Sequence, residues 1–249
     1  MEFSNQFLLV WSAIALVAFF ALFFKTAPYG RHENEGWGKT ISSRLGWIVM
    51  ETPSVYIMLI IAYIFYESLN FILIVFLAIW LLHYLNRSLI WPLRAKIKNK
   101  KMALIVAVLA FTFNAVNASI QALWIFKFTT YDNNWLYSFP FIAGLIIFFI
   151  GMYINIKSDN ILFGLRREQD QGYHIPEGFL FNKISNPNYF GEMIEWLGWA
   201  IMTWNLAGLI FFIWTVANLL PRAVANHNWY LDKFDNYPEE RKILIPDFY

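Results

Sequence analysis

Apolar residues fall into six long runs along this chain, separated by polar segments. Five of the runs are long enough for one membrane crossing each, since about 20 residues span a ~30 Å hydrocarbon core. They cover residues 7–24, 47–66, 71–91, 102–126 and 139–156. The sixth run, residues 189–220, is too long for one crossing, and Trp204-Asn205 interrupts it near its middle. We therefore predict two short helices there, joined by a tight turn, and seven helices in all.

The basic residues favour seven crossings over six. Every Lys and Arg except Lys127 lies in one of four segments, residues 25–46, 87–101, 157–183 and 222–242. Seven crossings put all four segments on one side of the membrane, whereas six would move the last one to the other side. Because cytoplasmic loops are rich in Lys and Arg, we predict the N-terminus outside and the C-terminus in the cytoplasm. The first run lacks a basic leader and a cleavage site, which is typical of a retained helix.

The composition agrees with a membrane protein. Hydrophobic residues make up 59% of the 249 residues and charged residues only 14%, whereas soluble domains carry about 25% charged residues. Such a chain could not cover a water-facing surface, so we predict an all-α integral membrane protein. The chain has no cysteine, which excludes disulfides, iron–sulfur clusters and thiol catalysis.

Several ionisable or amide residues lie near the cytoplasmic ends of the predicted helices. Polar groups at membrane depth are costly and by default functional. The candidates are Glu51, His83, Tyr84, Asn155, Asp159, Glu192 and Glu195.

These candidates also have plainer interpretations. Glu51 lies just before a proline and could be an acid at a helix start. Tyr84 could be an ordinary packed aromatic residue, and Asp159 could form a surface ion pair. Glu192 and Glu195 could sit at the membrane interface and cap a helix N-terminus.

Two segments that we place in the cytoplasm, residues 157–188 and 222–249, are rich in Arg, Asn and Tyr. These side chains suit phosphates and the aromatic ring of a nucleotide. The chain contains no G-x-G-x-x-G, Walker A, H-E-x-x-H or nucleophile-elbow motif, so any nucleotide site must be built from side chains between helices. The four histidines are too scattered along the sequence to predict a metal site.

Six motifs resemble those of the steroid 5-alpha-reductase family, most of all its type 1 and type 2 steroid enzymes. They are METPS (50–54), HYLNR (83–87), GMYINIKSD (151–159), YHIPEGFLF (173–181), NYFGEMIEW (188–196) and YLDKFDNYPEERKILIP (230–246). The resemblance extends from about residue 28 to the C-terminus. It implies that residues 1–249 form one seven-helix membrane reductase, which uses NADPH to reduce the Δ4 double bond of 3-oxo-steroids.

The resemblance also implies roles for individual residues. Glu51 and Tyr84 would be the catalytic pair, which polarises the steroid C3 carbonyl so that hydride adds at C5. Burial favours the neutral form of a carboxyl group, and a neutral Glu51 could donate a hydrogen bond. The implied cofactor-binding residues, most of them within 139–249, are Asn155, Asp159, Arg166, Tyr173, Asn188, Glu192, Tyr230 and Arg241. Two positions depart from the family pattern: Asn226 replaces a usual histidine and Phe163 an expected arginine.

Other functions remain open at this stage. The NPNYFGE motif at 186–192 is also similar to membrane sterol reductases and isoprenylcysteine methyltransferases, and the latter would bind S-adenosylmethionine. A binding or transport protein is the non-enzyme alternative, and a polyprenyl or enoyl enone would undergo the same reduction as a steroid. We expect a lipophilic enone substrate, membrane-lipid contacts at residues 96–101, and no nucleic-acid or obligate protein partner. The membrane would be the inner membrane in a bacterium or the endoplasmic reticulum in a eukaryote.

Overall fold

The structure, a computed structural model, describes residues 2–32, 36–97, 100–165 and 172–249, with side chains from residue 6 onward. Its α-helices are α1 Glu2–Phe24, α2 Ser43–Glu51, α3 Pro53–Ile64, α4 Phe71–Leu85, α5 Trp91–Arg94, α6 Leu104–Leu123, α7 Phe139–Leu165, α8 Pro187–Thr203 and α9 Leu206–Lys233. Two short strands, β1 Thr40–Ser42 and β2 Lys101–Ala103, pair antiparallel. Single turns of 3₁₀-helix (Gly30–His32, Tyr66–Ser68, Asn133–Tyr137, Phe179–Asn182) and of π-helix (Asn86–Ile90, Trp124–Phe128) complete the elements.

The chain divides into two compact units. Unit 1 comprises Met1–Thr26 together with Ala143–Tyr249, and unit 2 comprises Ala27–Ile142.

In unit 2, helix α6 packs against α2 and α3. Strand β1 leads directly into α2 and β2 leads into α6, and Thr40 lies opposite Ala103 in the strand pair. Proline has no backbone N–H and cannot continue a helical hydrogen-bond ladder. Accordingly α2 ends at Glu51 and α3 begins at Pro53. The sequence predicted one helix over residues 47–66, whereas the structure has two consecutive helices that begin at Ser43.

In unit 1, α8 and α9 form a helical hairpin. The predicted break at Trp204-Asn205 is confirmed: Trp204 ends α8 in the left-handed conformation, and Asn205 caps α9 by accepting from the backbone N–H of Gly208 at 2.8 Å. Helix α1 packs along α9, where the rings of Trp11 and Trp214 are 4.9 Å apart.

Six segments of the described chain are long and apolar enough to cross a membrane. They are Gln6–Phe24, Ser43–Ile64, Phe71–Arg94, Leu104–Phe128, Phe139–Leu165 and Leu206–Lys233. These helices agree with an all-α integral membrane protein. Helix α8 has 17 residues, the lower end of the usual spanning length of ~17–25 residues. The count of seven crossings and the orientation of the termini therefore stay predictions. Helix α9, with 28 residues, is not the short helix that we expected.

Candidate functional site

Close packing of α7 against α8 positions the polar side chains of unit 1. Two pairs of glycines, each spaced seven residues apart, lie at this contact: Gly144 and Gly151 in α7, and Gly191 and Gly198 in α8. A Cβ atom at Gly151 would lie only 2.6 Å from the carbonyl oxygen of Gly191, and one at Gly198 would lie 2.7 Å from that of Gly144. The two backbones touch, which only glycine permits at these positions. We did not predict this contact, although its spacing is visible in the sequence.

A network of amides and carboxylates lies beside the glycine contact. The Nδ2 of Asn155 donates to the backbone carbonyl of Asn188 at 2.9 Å and to Oε2 of Glu192 at 3.4 Å. Asn188 in turn donates to Oδ1 of Asp159 at 3.3 Å. Asp159 is 4% exposed, which argues against a surface ion pair. Four of the predicted cofactor-binding residues, from α7 and α8, therefore belong to one network.

Glu195 lies one turn further into α8 than Glu192. Its side chain is completely buried, at 0% exposure, whereas Glu192 is partly exposed. An acid that caps a helix at the membrane interface needs contact with water, so the burial of Glu195 argues against that interpretation. A buried carboxyl group at this depth fits a functional or structural role inside the bundle.

Asn186, just before α8, forms hydrogen bonds with α9 and with the C-terminal tail. Its Nδ2 donates to the carbonyls of Ala223 and Ile243, both at 3.0 Å, and its Oδ1 accepts from Nδ2 of Asn226 at 2.9 Å. Backbone bonds between residues 183–185 and Lys242 reinforce the connection. Asn226, where the family pattern has a histidine, thus takes part in this structural contact.

Arg241, in the C-terminal segment after α9, packs against two stacked tyrosine rings. The rings of Tyr230 and Tyr237 are parallel with centroids 5.1 Å apart, and the Arg241 guanidinium lies 5.2 Å from the Tyr237 centroid. Arg241 donates through Nη1 to the carbonyl of Pro176 at 2.9 Å. Its Nε is buried and has no hydrogen-bond partner among the described residues. An unsatisfied buried guanidinium N–H is costly, so this arrangement fits an anionic group such as a cofactor phosphate.

Two predicted cofactor-binding residues remain, Tyr173 and Arg166. Tyr173 packs edge-on against Trp229, with ring centroids 4.9 Å apart. Arg166 lies outside the described residues. Phe163, the other departure from the family pattern, is buried.

Three further polar contacts of unit 1 were not predicted. Arg222 is buried in α9 and donates through Nε to the hydroxyl of Tyr189 at 3.1 Å. The hydroxyl of Ser185 lies 2.6 Å from Nδ1 of His227 and 2.7 Å from the hydroxyl of Tyr237. Their sequence positions carry no periodicity that would have revealed them.

In unit 2, the predicted catalytic residue Glu51 stands at the break between α2 and α3. It is the last residue of α2 and is partly buried. Its Oε2 accepts from Nδ2 of Asn114 at 3.1 Å, and the same nitrogen donates to the carbonyl of Met50 at 2.7 Å. Glu51 ends α2, and the first turn of α3 contains no acidic residue. The interpretation of Glu51 as an acid at a helix start is therefore not supported, and its carboxyl group accepts a hydrogen bond from α6.

Tyr84, the second predicted catalytic residue, lies in the last turn of α4 and is buried. Its ring packs on Trp80 at 4.6 Å and on His83 at 4.9 Å. The indole N–H of Trp80 donates to the carbonyl of Ser54 at 2.8 Å. Ser54 lies three residues after Glu51 in the sequence. A π-helical turn, Asn86–Ile90, begins two residues after Tyr84, and such turns are frequent at functional sites.

Comparison with known proteins gives a consistent family. The sequence profile of the family described as 3-oxo-5-alpha-steroid 4-dehydrogenase matches residues 100–249. The chain is 44% identical to steroid 5-alpha-reductase DET2 of Gossypium hirsutum, over 97% of this chain and 96% of that protein. It is 38% identical to 3-oxo-5-alpha-steroid 4-dehydrogenase 1 of Mus musculus, over 94% of this chain and 92% of that protein. The Homo sapiens protein of the same name is 37% identical over 88% and 85%.

Proposed function

Because the chain belongs to the steroid 5-alpha-reductase family, we propose that it reduces the C4=C5 double bond of 3-oxo-Δ4-steroids to 5-alpha-3-oxosteroids, with NADPH as reductant. The protein is an oxidoreductase that acts on a CH–CH bond. The similarity over nearly the whole length of its relatives is the observation that carries the proposal. The polar contacts of the proposed cofactor-binding residues in unit 1, and those around Glu51 and Tyr84 in unit 2, support the proposed chemistry.

The catalytic pair acts on the C3 carbonyl of the substrate. In a 4-en-3-one the double bond is conjugated to this carbonyl, so hydride can add at C5 only if the carbonyl oxygen accepts negative charge. The Tyr84 hydroxyl and the protonated Glu51 donate hydrogen bonds to that oxygen. Each donor of this kind contributes ~3–4 kcal/mol of transition-state stabilisation. A proton added at C4 then completes the saturated ketone.

NADPH, when bound, supplies the hydride that adds at C5. Arg241 would hold a phosphate of the cofactor, since its buried Nε lacks a partner within the described ranges. The network of Asn155, Asp159, Asn188 and Glu192 would orient ribose and nicotinamide by hydrogen bonds. Tyr173, Tyr230 and Arg166 complete the proposed cofactor-binding set.

Two alternatives are distinguishable from this proposal. Family membership speaks against a methyltransferase, which would bind S-adenosylmethionine and would not need Glu51 and Tyr84. A polyprenyl or enoyl enone would use the same catalytic pair and the same cofactor. It would change only the substrate class.

The test is an assay of purified protein with NADPH and a panel of 4-en-3-one steroids, with product stereochemistry determined at C5. We expect NADPH-dependent formation of 5-alpha products, and no reaction when S-adenosylmethionine replaces NADPH. Reduction of only non-steroid enones would overturn the substrate class and leave the chemistry intact.

The catalytic pair is tested in the same assay. Glu51→Gln and Tyr84→Phe should each lower kcat at least tenfold, because each removes one donor to the carbonyl oxygen. Matched controls are Glu67→Gln and Tyr63→Phe, since both residues are exposed and lie in or next to α3. NADPH binding should persist in all four variants. Parental turnover of either catalytic variant would contradict the assignment.

A further inference from the structure

The side-chain amide of Asn114 donates two hydrogen bonds to the end of helix α2. It is buried in α6, and its single nitrogen donates to two acceptors of another element, the carbonyl of Met50 at 2.7 Å and Oε2 of Glu51 at 3.1 Å. An amide nitrogen has two hydrogens, so one is available for each acceptor. The alternative orientation would turn the amide oxygen toward two other oxygens. The hydrogen bonds therefore fix the orientation of Asn114.

The break before Pro53 explains why a side chain is needed here. Helix α2 ends at Glu51, and terminal carbonyls of a helix lack partners within it. Thr52 donates through Oγ1 to the carbonyl of Val49 at 3.3 Å, and Asn114 donates to the next carbonyl, that of Met50. Asn114 thus donates hydrogen bonds both to a terminal carbonyl of α2 and to the Glu51 carboxyl group.

We propose that Asn114 is a positioning residue for the reduction, which fixes the proton of Glu51 on Oε1 and directs it at the substrate carbonyl. The inference rests on the proposed function of Glu51. In a neutral carboxyl group the carbonyl-type oxygen is the better acceptor. An N–H donor at Oε2 therefore makes Oε2 that oxygen and leaves Oε1 to carry the proton. Loss of the Asn114 donor would remove this preference for the proton on Oε1.

The same face of α6 offers a comparison. Asn117 lies one turn after Asn114 and is also buried, yet its Nδ2 has no hydrogen-bond partner among the residues described. The side-chain nitrogen of a buried asparagine on this face therefore does not always donate a hydrogen bond to another helix. The contact with Glu51 distinguishes Asn114 from Asn117.

The principal variant is Asn114→Leu, which preserves approximate size and removes the donor. We expect kcat to fall about ten- to a hundredfold, as misplaced catalytic groups usually cause, with little change in KM or in the NADPH dissociation constant. Asn117→Leu is the matched control and should keep the parental kcat. Asn114→Gln, which retains the N–H donor, should recover part of the activity.

A double-mutant cycle with Glu51→Gln separates positioning from general stability. If Asn114 acts through Glu51, adding Asn114→Leu to Glu51→Gln should cause no further loss of kcat, because effects on one unit are not additive. An equal loss in both backgrounds would overturn the inference. Should Asn114→Leu fail to fold, Asn114→Ser replaces it, since one hydroxyl proton can serve only one of the two acceptors.

The outcomes distinguish this inference from the proposed function. Parental kcat in Asn114→Leu, together with low kcat in Glu51→Gln, refutes the positioning role alone. Parental kcat in Glu51→Gln refutes the catalytic role of Glu51 and the inference with it.

Discussion

The contact between α7 and α8 leads to a sharp prediction about stability. Gly151→Ala adds a Cβ at a point where the neighbouring backbone leaves no room. That atom would overlap the backbone nitrogen of Glu195 and would lie 2.6 Å from the carbonyl oxygen of Gly191. Both neighbours are helix backbone and cannot move aside as a flexible side chain would. The helices must separate, or the variant must accept strain.

The expected loss follows from two opposing terms. Overpacking of a close-packed interior costs typically ~1–3 kcal/mol and occasionally more. Replacing a glycine inside a helix by alanine gains up to ~1 kcal/mol. Because the clash at Gly151 is with backbone, we take the upper part of the first range and expect a net loss of about 2 kcal/mol. For a chain of this size that lowers Tm by roughly 4–8 °C.

The assay is thermal unfolding in detergent, followed by the fluorescence of the chain's own tryptophans. Gly164→Ala is the control: this glycine lies in the same helix, and a Cβ there meets nothing described within 4 Å. Its Tm should equal or slightly exceed that of the parent. Asn155 lies one turn after Gly151, so Gly151→Ala should also weaken NADPH binding. An unchanged Tm for Gly151→Ala, or an equal drop for Gly164→Ala, would refute the reasoning.

Two other predictions concern the cofactor and the topology. Arg241→Ala should weaken NADPH binding roughly ten- to a hundredfold, because a charge-assisted contact contributes ~1.5–3 kcal/mol. The exposed neighbour Lys242 provides the control Lys242→Ala, and equal affinities in the two variants would contradict the role of Arg241. A reporter fused after Tyr249 should be cytoplasmic, and one inserted in the loop at residues 129–137 should lie on the opposite side. Finding both reporters on the same side would rule out seven crossings with this orientation.

The hydrophobic pattern predicted the helices well because membrane-spanning runs are set by length and composition. Helices cover most of each of the first five runs, although the second run is divided between α2 and α3 and the fourth begins in β2. The turn at Trp204-Asn205 was predicted correctly. The end of α7 was predicted too early, at residue 156. The helix continues to Leu165 through residues that include Lys157 and Asp159. A helix that continues through polar residues gives no signal in the length of an apolar run.

The site was harder to predict than the fold. Resemblance implied candidate residues such as Asn155 and Asp159, but it could not supply their hydrogen-bond partners, which are far apart in sequence. Asn114 is separated from Glu51 by 63 residues, and α6 contains a second buried asparagine, Asn117, so no local pattern connects Asn114 with Glu51. The glycines of α7 and α8 could have been found, since their seven-residue spacing recurs in both segments.

Asparagine recurs at the buried contacts for a physical reason. Asn114 holds a carboxyl group and a helix carbonyl, Asn155 does the same in unit 1, and Asn186 joins three segments of chain. A buried lysine or arginine could make similar bonds, but its charge would be costly away from water. A neutral amide offers two donors and an acceptor at lower cost. It can therefore orient a carboxyl group in an apolar bundle without adding a positive charge that would favour ionisation of that group, and a neutral Glu51 is the form that can donate to a substrate carbonyl.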